Sequence, residues 1–255
     1  MTEALQFTVA DGIAEITLNR PAKHNAVTPE MAAAIERRCV EIDRDDAVRV
    51  VLIRGAGERA FSAGSDLNSL AEYSSAWKFR NRSEYAASLR SVKKPVVAAL
   101  KGWVLGGGAE LALAADIRVA GRSTRCGFPE VKRGWVGGGG ASQMLPRMIG
   151  YGQAMRLLLT GDPVEAEEAF RLGVIDILVE DTEVEARARA ICQQLASYSP
   201  VAVQAVKASV RMSVMAPLDA GLRYENEMNT LCFSAGDHME GIRAFQQKRA
   251  AEFKK

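Results

Sequence analysis

Two glutamates and two glycine clusters carry most of the chemistry this sequence offers. Between Lys101 and Asp116, the glycines Gly106 to Gly108 precede Ala109, Glu110 and a run of Leu and Ala. Leu111 to Ala115 are strong helix formers, so a helix is expected to open near Gly107 or Gly108. Its first amides have no intrahelical partner and point outwards at the positive end of the helix dipole. That end suits an oxyanion or a phosphate. Glu110 falls in the first turn of a helix that is otherwise apolar all round, a pattern typical of burial. A buried carboxylate is costly unless it is paired or used. Spacing puts the Gly107 amide and the Glu110 carboxylate on one side of the helix. Two readings fit: half an active site, or a glycine cap with Glu110 complementing the dipole.

Ser65 stands just before an expected helix start at Asp66-Leu67 and offers a second outward amide. Two amides from separate loop–helix junctions make an oxyanion hole, although two ordinary capped ends read the same way. Glu130 follows Pro129, which fixes the backbone ahead of it. The run Gly137 to Gly140 then implies close backbone approach or a tight turn. Paired carboxylates beside an oxyanion hole suit proton transfer combined with water activation. The plainer reading of Glu130 is a solvated loop glutamate.

The elements that must position these groups follow an α/β pattern. Leu5 to Val9 and Ile13 to Leu18 flank Asp11-Gly12, a hairpin signal. Thr28-Pro29-Glu30 opens a helix running to about Asp43. Val48 to Ile53, Pro95 to Leu100, Ile117 to Ala120 and Ile175 to Val179 read as strands. Trp77 to Ser91 reads as one helix with a polar face. Helices are also expected from about Ser142, over Tyr151 to Leu159 and over Glu165 to Leu172. From Thr182 the pattern is helical: Thr182 to Tyr198, Pro200 to Met212, Leu218 to Phe233 and His238 to Phe253. Recurring strand–loop–helix units favour an α/β fold. The shift near Ser199-Pro200 divides a core, residues 1–198, from a helical C-terminal region, residues 199–255. The apolar residues of that region exceed what its own helices bury, which suggests an oligomer contact.

Composition narrows the function classes. The chain has 255 residues, 48% hydrophobic and 25% charged, an ordinary globular balance. A net charge of +2 gives no nucleic-acid or membrane footprint. Cys39, Cys126, Cys192 and Cys232 form no CxxC pair and read as reduced thiols of an intracellular protein. No secretory signal is evident at the N-terminus. The apolar stretch from Pro95 to Asp116 contains Lys101, Glu110 and several glycines, which argues against a membrane span. His24 and His238 alone make a histidine metal site a poor fit. Gly55-x-Gly57-x-x-Ala60 after a strand has the form of a dinucleotide-binding turn. Gly64 and Ser65-Asp66 interrupt the helix that such a turn requires.

FSAGSDL (61–67), GGGAELALAAD (106–116), Phe128-Pro129-Glu130, the following glycine run and AEEAFRLGVID (166–176) resemble the crotonase superfamily, specifically enoyl-CoA hydratases. The resemblance runs from ITLNRPAKHNA at Ile16 to AFQQKR ending at Arg249. It implies a spiral of ββα units with a helical C-terminal trimerisation region, as a trimer or dimer of trimers in the cytoplasm. It implies hydration of a 2-enoyl-CoA, with coenzyme A as part of the substrate and no metal or redox cofactor. Ser65 and Gly107 would be the oxyanion-hole amides, Glu110 and Glu130 the catalytic pair, and Gly138 a water-positioning residue. Lys23, Ser62, Ala63, Asp66 and Leu67 would line the coenzyme A path. Phe245 and Lys248 would reach it from a neighbouring subunit. An enoyl-CoA isomerase, another acyl-CoA lyase, and a non-catalytic acyl-CoA-binding or RNA-associated homologue are the alternatives, because one scaffold hosts many reactions. Gly137 stands where the family usually has proline, and Met144 where it usually has Arg. Trp103 and Trp135 are bulky residues expected near the acyl pocket.

Overall fold

A computed structural model describes residues 4–70 and 73–253. The chain opens with the hairpin of β1 (Leu5–Ala10) and β2 (Ile13–Leu18), paired antiparallel from Leu5–Leu18 to Ala10–Ile13. Asp11 and Gly12 both take positive φ, as a two-residue turn matching the strand twist requires. Helix α1 (Pro29–Arg44) is capped by the Thr28 side chain, which accepts the Met31 N–H.

Three successive turns then repeat one plan. β3 (Val50–Gly55) leads into β4 (Ala60–Ser62), followed by the short helices α2 (Leu67–Leu70), α3 (Ala76–Arg80) and α4 (Tyr85–Ser91). β5 (Val96–Leu100) leads into β6 (Trp103–Leu105) and α5 (Gly107–Ala114). β7 (Ile117–Gly121) leads into β8 (Arg125–Gly127), a 3-10 helix at Pro129–Arg133, α6 (Ala141–Ile149) and α7 (Tyr151–Thr160). The first strand of each turn joins one sheet, ordered β1-β2-β3-β5-β7 and closed by β10 (Ile177–Val179). The second strand joins another sheet, β4-β6-β8, closed by β9 (Val164–Glu165) just before α8 (Ala166–Leu172). All neighbours within β2-β3-β5-β7-β10 and within β4-β6-β8 are parallel. This is the expected spiral of ββα units.

The larger sheet is covered on both faces, which explains its unbroken apolar strands. Val51, Ile53, Val96, Ala98 and Leu100 enter the main core with α1, α4 and α5. Val50, Leu52, Val97, Ala99 and Val119 meet Val184, Ala188, Ile191 and Cys192 of α9 (Val184–Ala196) on the other face. Helices α10 (Pro200–Ser213), α11 (Leu218–Ala235) and α12 (Asp237–Gln247) complete the chain. Met215, Leu218, Phe233 and Phe245 lie exposed in this part. All four cysteines are free thiols. Among the described residues no helix is long and apolar enough to cross a membrane.

One sequence expectation needs correction. Trp77 to Ser91 is not one helix but α3 and α4 with a break between Arg80 and Tyr85. Asn81 turns its side chain back to the Trp77 carbonyl, and Asn81 and Ser83 are residues that favour caps and turns over helix interior. The strands of the smaller sheet, two or three residues each, left no periodic signal. β4 follows Gly55-x-Gly57 where a dinucleotide site needs a helix, so that reading fails on structural grounds.

Candidate functional site

The C-terminal ends of β4, β6 and β8 converge on one cavity of about 370 Å³. Each strand delivers a candidate group two or three residues beyond its last residue: Ser65 after Ser62, Gly107 after Leu105, Glu130 after Gly127. Ser65, Gly107, Glu110, Glu130 and Gly138 all line the cavity.

The two candidate amides are adjacent. A Cβ built on Gly107 would stand 3.5 Å from the Ser65 nitrogen, and one on Gly64 would stand 2.8 Å from the Gly107 nitrogen. Gly64 takes φ +89°, and a side chain there would force the two loops apart. Neighbouring amides have internal acceptors: Asp66 N–H donates to the Val27 carbonyl and Gly106 N–H to the Gly127 carbonyl. Among the described residues the Ser65 and Gly107 N–H groups have none. Two orphan donors at one wall form a ready anion site. Tyr85, at the start of α4, holds this wall from behind. Its hydroxyl lies 3.1 Å from Ser65 Oγ and 1.9 Å from where a Gly107 Cβ would be. Gly107 therefore leaves room for a phenol that burial pushes well above its usual pKa range.

Glu110 is 5% exposed, in the first turn of α5. Its Oε1 accepts the Ala141 N–H at 3.1 Å, and the Gly139 N–H also bonds to the carboxylate. The start of α6 thus fixes its orientation. Burial pushes the carboxyl up, the two amides pull it back, and the charges of Glu130 and Glu84 add to the rise. Glu130 is half-buried in the 3-10 helix, its Oε1 facing Gly106. Burial raises its carboxyl as well, against its own backbone N–H and the charge of Arg133. Among the described residues neither glutamate has an ion-pair partner within 4 Å. Two acids, both with carboxyls raised by burial, face two unused N–H donors across the cavity. That arrangement moves protons to and from a substrate whose oxygen takes on negative charge.

The remaining predicted residues divide. Lys23, Ala63, Asp66 and Leu67 line the cavity. Asp66 is also tied to Arg20 at 2.9 Å, which holds its carboxyl below the usual range. Ser62 does not reach the cavity. It is fully buried, donating to the Asn25 carbonyl and accepting the Gly64 N–H, so its hydroxyl braces the loop. Asn25 bonds the Ala56 and Ala60 carbonyls and the Arg20 N–H, fixing the loop that carries Lys23. Phe245 and Lys248 are not in this chain's cavity wall, and Phe245 is 85% exposed. Trp135 lines the cavity, whereas Trp103 lies in a separate groove with its ring under Arg125. Sequence reasoning missed Tyr85, Phe79, Arg82 and Glu84, which also line the cavity. The Asn81–Ser83 helix-breaking cluster beside them was the one local signal. Among the described residues no group of three or more His, Cys, Asp and Glu side chains is placed to hold a metal ion.

Comparison with known proteins places this geometry in context. The family model described as Enoyl-CoA hydratase/isomerase matches residues 8–255. The short-chain-enoyl-CoA hydratase of Clostridium acetobutylicum is 35% identical, over 94% of this chain and 93% of its own. The 2,3-dehydroadipyl-CoA hydratase of Escherichia coli is 37% identical, over 94% of each. The crystal structure of enoyl-CoA hydratase from Bacillus anthracis superposes with a TM-score of 0.91 at 31% identity, covering 98% of this chain and 99% of that one.

Proposed function

The chain belongs to the enoyl-CoA hydratase/isomerase family, and on that premise we propose that it is an enoyl-CoA hydratase, adding water across the 2,3 double bond of a 2-enoyl-CoA. The observation that carries this reading is the convergence of two orphan amides and two acids without ion-pair partners on one cavity. The thioester carbonyl accepts from the Ser65 and Gly107 amides. As water attacks Cβ, that oxygen gains enolate charge, and loss of one such donor typically costs ~3 kcal/mol. Glu110, held by two amides that favour its anion, takes a proton from the water. Hydroxide bonds to Cβ, Glu130 delivers its proton to Cα, and proton exchange between the acids resets the pair. The product is a 3-hydroxyacyl-CoA. An isomerase needs one acid to carry a proton between carbons, so the retained second acid favours hydration.

Lys23, Ala63, Asp66 and Leu67 form the coenzyme A side of the cavity. Gly138, between the glycines that flank Glu110, positions the water. The exposed apolar residues of 199–255 support an oligomerisation region that joins a trimer or dimer of trimers, with Phe245 and Lys248 serving a neighbouring site. The enzyme would need no cofactor and would act in the cytoplasm in acyl-CoA degradation. The test is mass spectrometry of a 2-enoyl-CoA panel incubated with the protein. Gain of one water per thioester is the expected result. Double-bond migration without mass change would select the isomerase instead.

A further inference from the structure

The cavity lining also includes Phe79, Trp135 and Arg82, an aromatic pair that holds one guanidinium. Phe79 meets Tyr73 and Trp135 edge to face, at 5.4 and 5.3 Å between ring centroids. Arg82 lies over the Phe79 ring, 4.0 Å from its centroid, and its Nη1 donates to the Phe79 carbonyl at 2.9 Å. Arg82 lines the cavity, with Nη2 2.7 Å from where a Gly138 Cβ would stand. Among the described residues no carboxylate lies within ion-pair distance of it. Stacking and the carbonyl bond hold the guanidinium plane in place while leaving donors unspent. A fork fixed in this way matches a carboxylate bidentately.

From this geometry we infer that Arg82 binds a carboxylate at the far end of the acyl chain, so that the site takes thioesters of dicarboxylic acids. The inference rests on the hydratase reading for which end of the cavity holds the thioester. Gly137 and Gly139 both abut the Glu110 carboxylate, and Gly138 between them abuts Arg82. One 3.8 Å backbone step plus these contacts keeps Nη2 within about 12 Å of the Glu110 oxygens. Allowing about 3 Å for the water and about 3 Å for the carboxylate bond leaves at most about five bonds of tail past Cβ. That sets an upper limit of about eight carbons on the diacid, which six carbons satisfy. Glu84 lines the same cavity with a buried Oε2 that has no hydrogen-bond partner, which would instead favour a hydroxyl tail. Among the described residues no hydrogen bond anchors that side chain, whereas the Arg82 fork is held at two points.

Saturated six-carbon CoA thioesters ending in carboxylate, methyl ester, hydroxyl or methyl would be titrated calorimetrically into the whole protein. Crotonyl-CoA hydration would be measured in parallel, so failure of the hydratase reading shows separately. The carboxylate is expected to bind tenfold or more tighter than the ester and methyl compounds. Arg82→Met should remove that preference, and Arg82→Lys should keep part of it. Equal binding, or a preference for methyl or hydroxyl, overturns the inference in the wild-type protein alone. A carboxylate preference that survives in Arg82→Met overturns the role of Arg82.

Discussion

Glu110 near the start of α5 and Asp116 just past its end are six residues apart. Glu110 is buried and Asp116 half-buried, but only Asp116 is given cations. Asp116 accepts the Val96 N–H at 2.8 Å, the Lys207 ammonium at 2.5 Å and Arg211 at 3.4 Å. Lys207 is itself 8% exposed and also donates to the Lys94 carbonyl at 2.7 Å. This cluster pins α10 to the larger sheet. Glu110 gets two amides, a neighbouring glutamate and, among the described residues, no cation within ion-pair distance. The acid given cations ties two elements together and serves cohesion. An acid denied them stays near the point of exchanging its proton, and its burial costs stability.

Each arm of that contrast has its own test. The largest effect is expected on rate: Glu110→Gln and Glu130→Gln should each lower kcat by roughly 10²–10⁴-fold, with thioester binding nearly unchanged. Retained turnover in both variants would sink the acid–base reading. At the other end of α5, Lys207→Met leaves Asp116 short of a buried partner and should cost about 3 kcal/mol. Chemical denaturation should register that loss while kcat per folded molecule stays level. Equal damage to rate and stability in both sets would erase the contrast.

pH should pull the two regions in opposite directions. For the raised glutamates, the folded protein holds a proton above pH 4.5 that the unfolded chain has released, so their contribution to stability falls as pH rises towards the folded pKa. Lys207 is lowered to about 8, mainly by burial, from 10.5. Between those values the unfolded chain keeps the proton, so stability rises with pH. Comparing wild type with Glu130→Gln over the acid range, and with Lys207→Met over the alkaline range, isolates each slope. On the acid side kcat should rise with pH, with its midpoint above pH 4.5 as a property of the coupled pair of glutamates. The smallest effect belongs to Tyr85→Phe. It removes the bond to Ser65 Oγ and nothing from either acid, and should cost about 1 kcal/mol, a several-fold rate loss. An unchanged rate would show that the Ser65 amide needs no such brace.

Legibility in the sequence followed how local each cause was. The strands β3 and β5 are continuous apolar runs, and the Thr28-Pro29 cap and the Asp11-Gly12 turn are written in neighbouring residues. Ser65, Gly107 and Glu110 stood out because glycines precede an acid in an otherwise apolar helix. The smaller sheet was invisible to periodicity, since a strand of three residues has no period to detect. Ser62 looked like a ligand because it sits in the right segment, yet its hydroxyl is spent on Asn25 and Gly64. Tyr85 was unreadable because its place depends on Gly107, a residue from another turn of the spiral.

The small sheet also sets the tolerances of the site. Neighbouring strands lie ≈ 4.8 Å apart, so the spacing of Ser65, Gly107 and Glu130 is ruled by backbone pairing and not by rotamer choice. Such a gauge resists side-chain changes and is brittle to changes in length. One residue inserted between Leu105 and Gly107 would rotate α5 by about 100° and carry Glu110 away from the water it must reach. The same insertion between Asp45 and Arg49, in the link from α1 to β3, leaves every one of these spacings as it was.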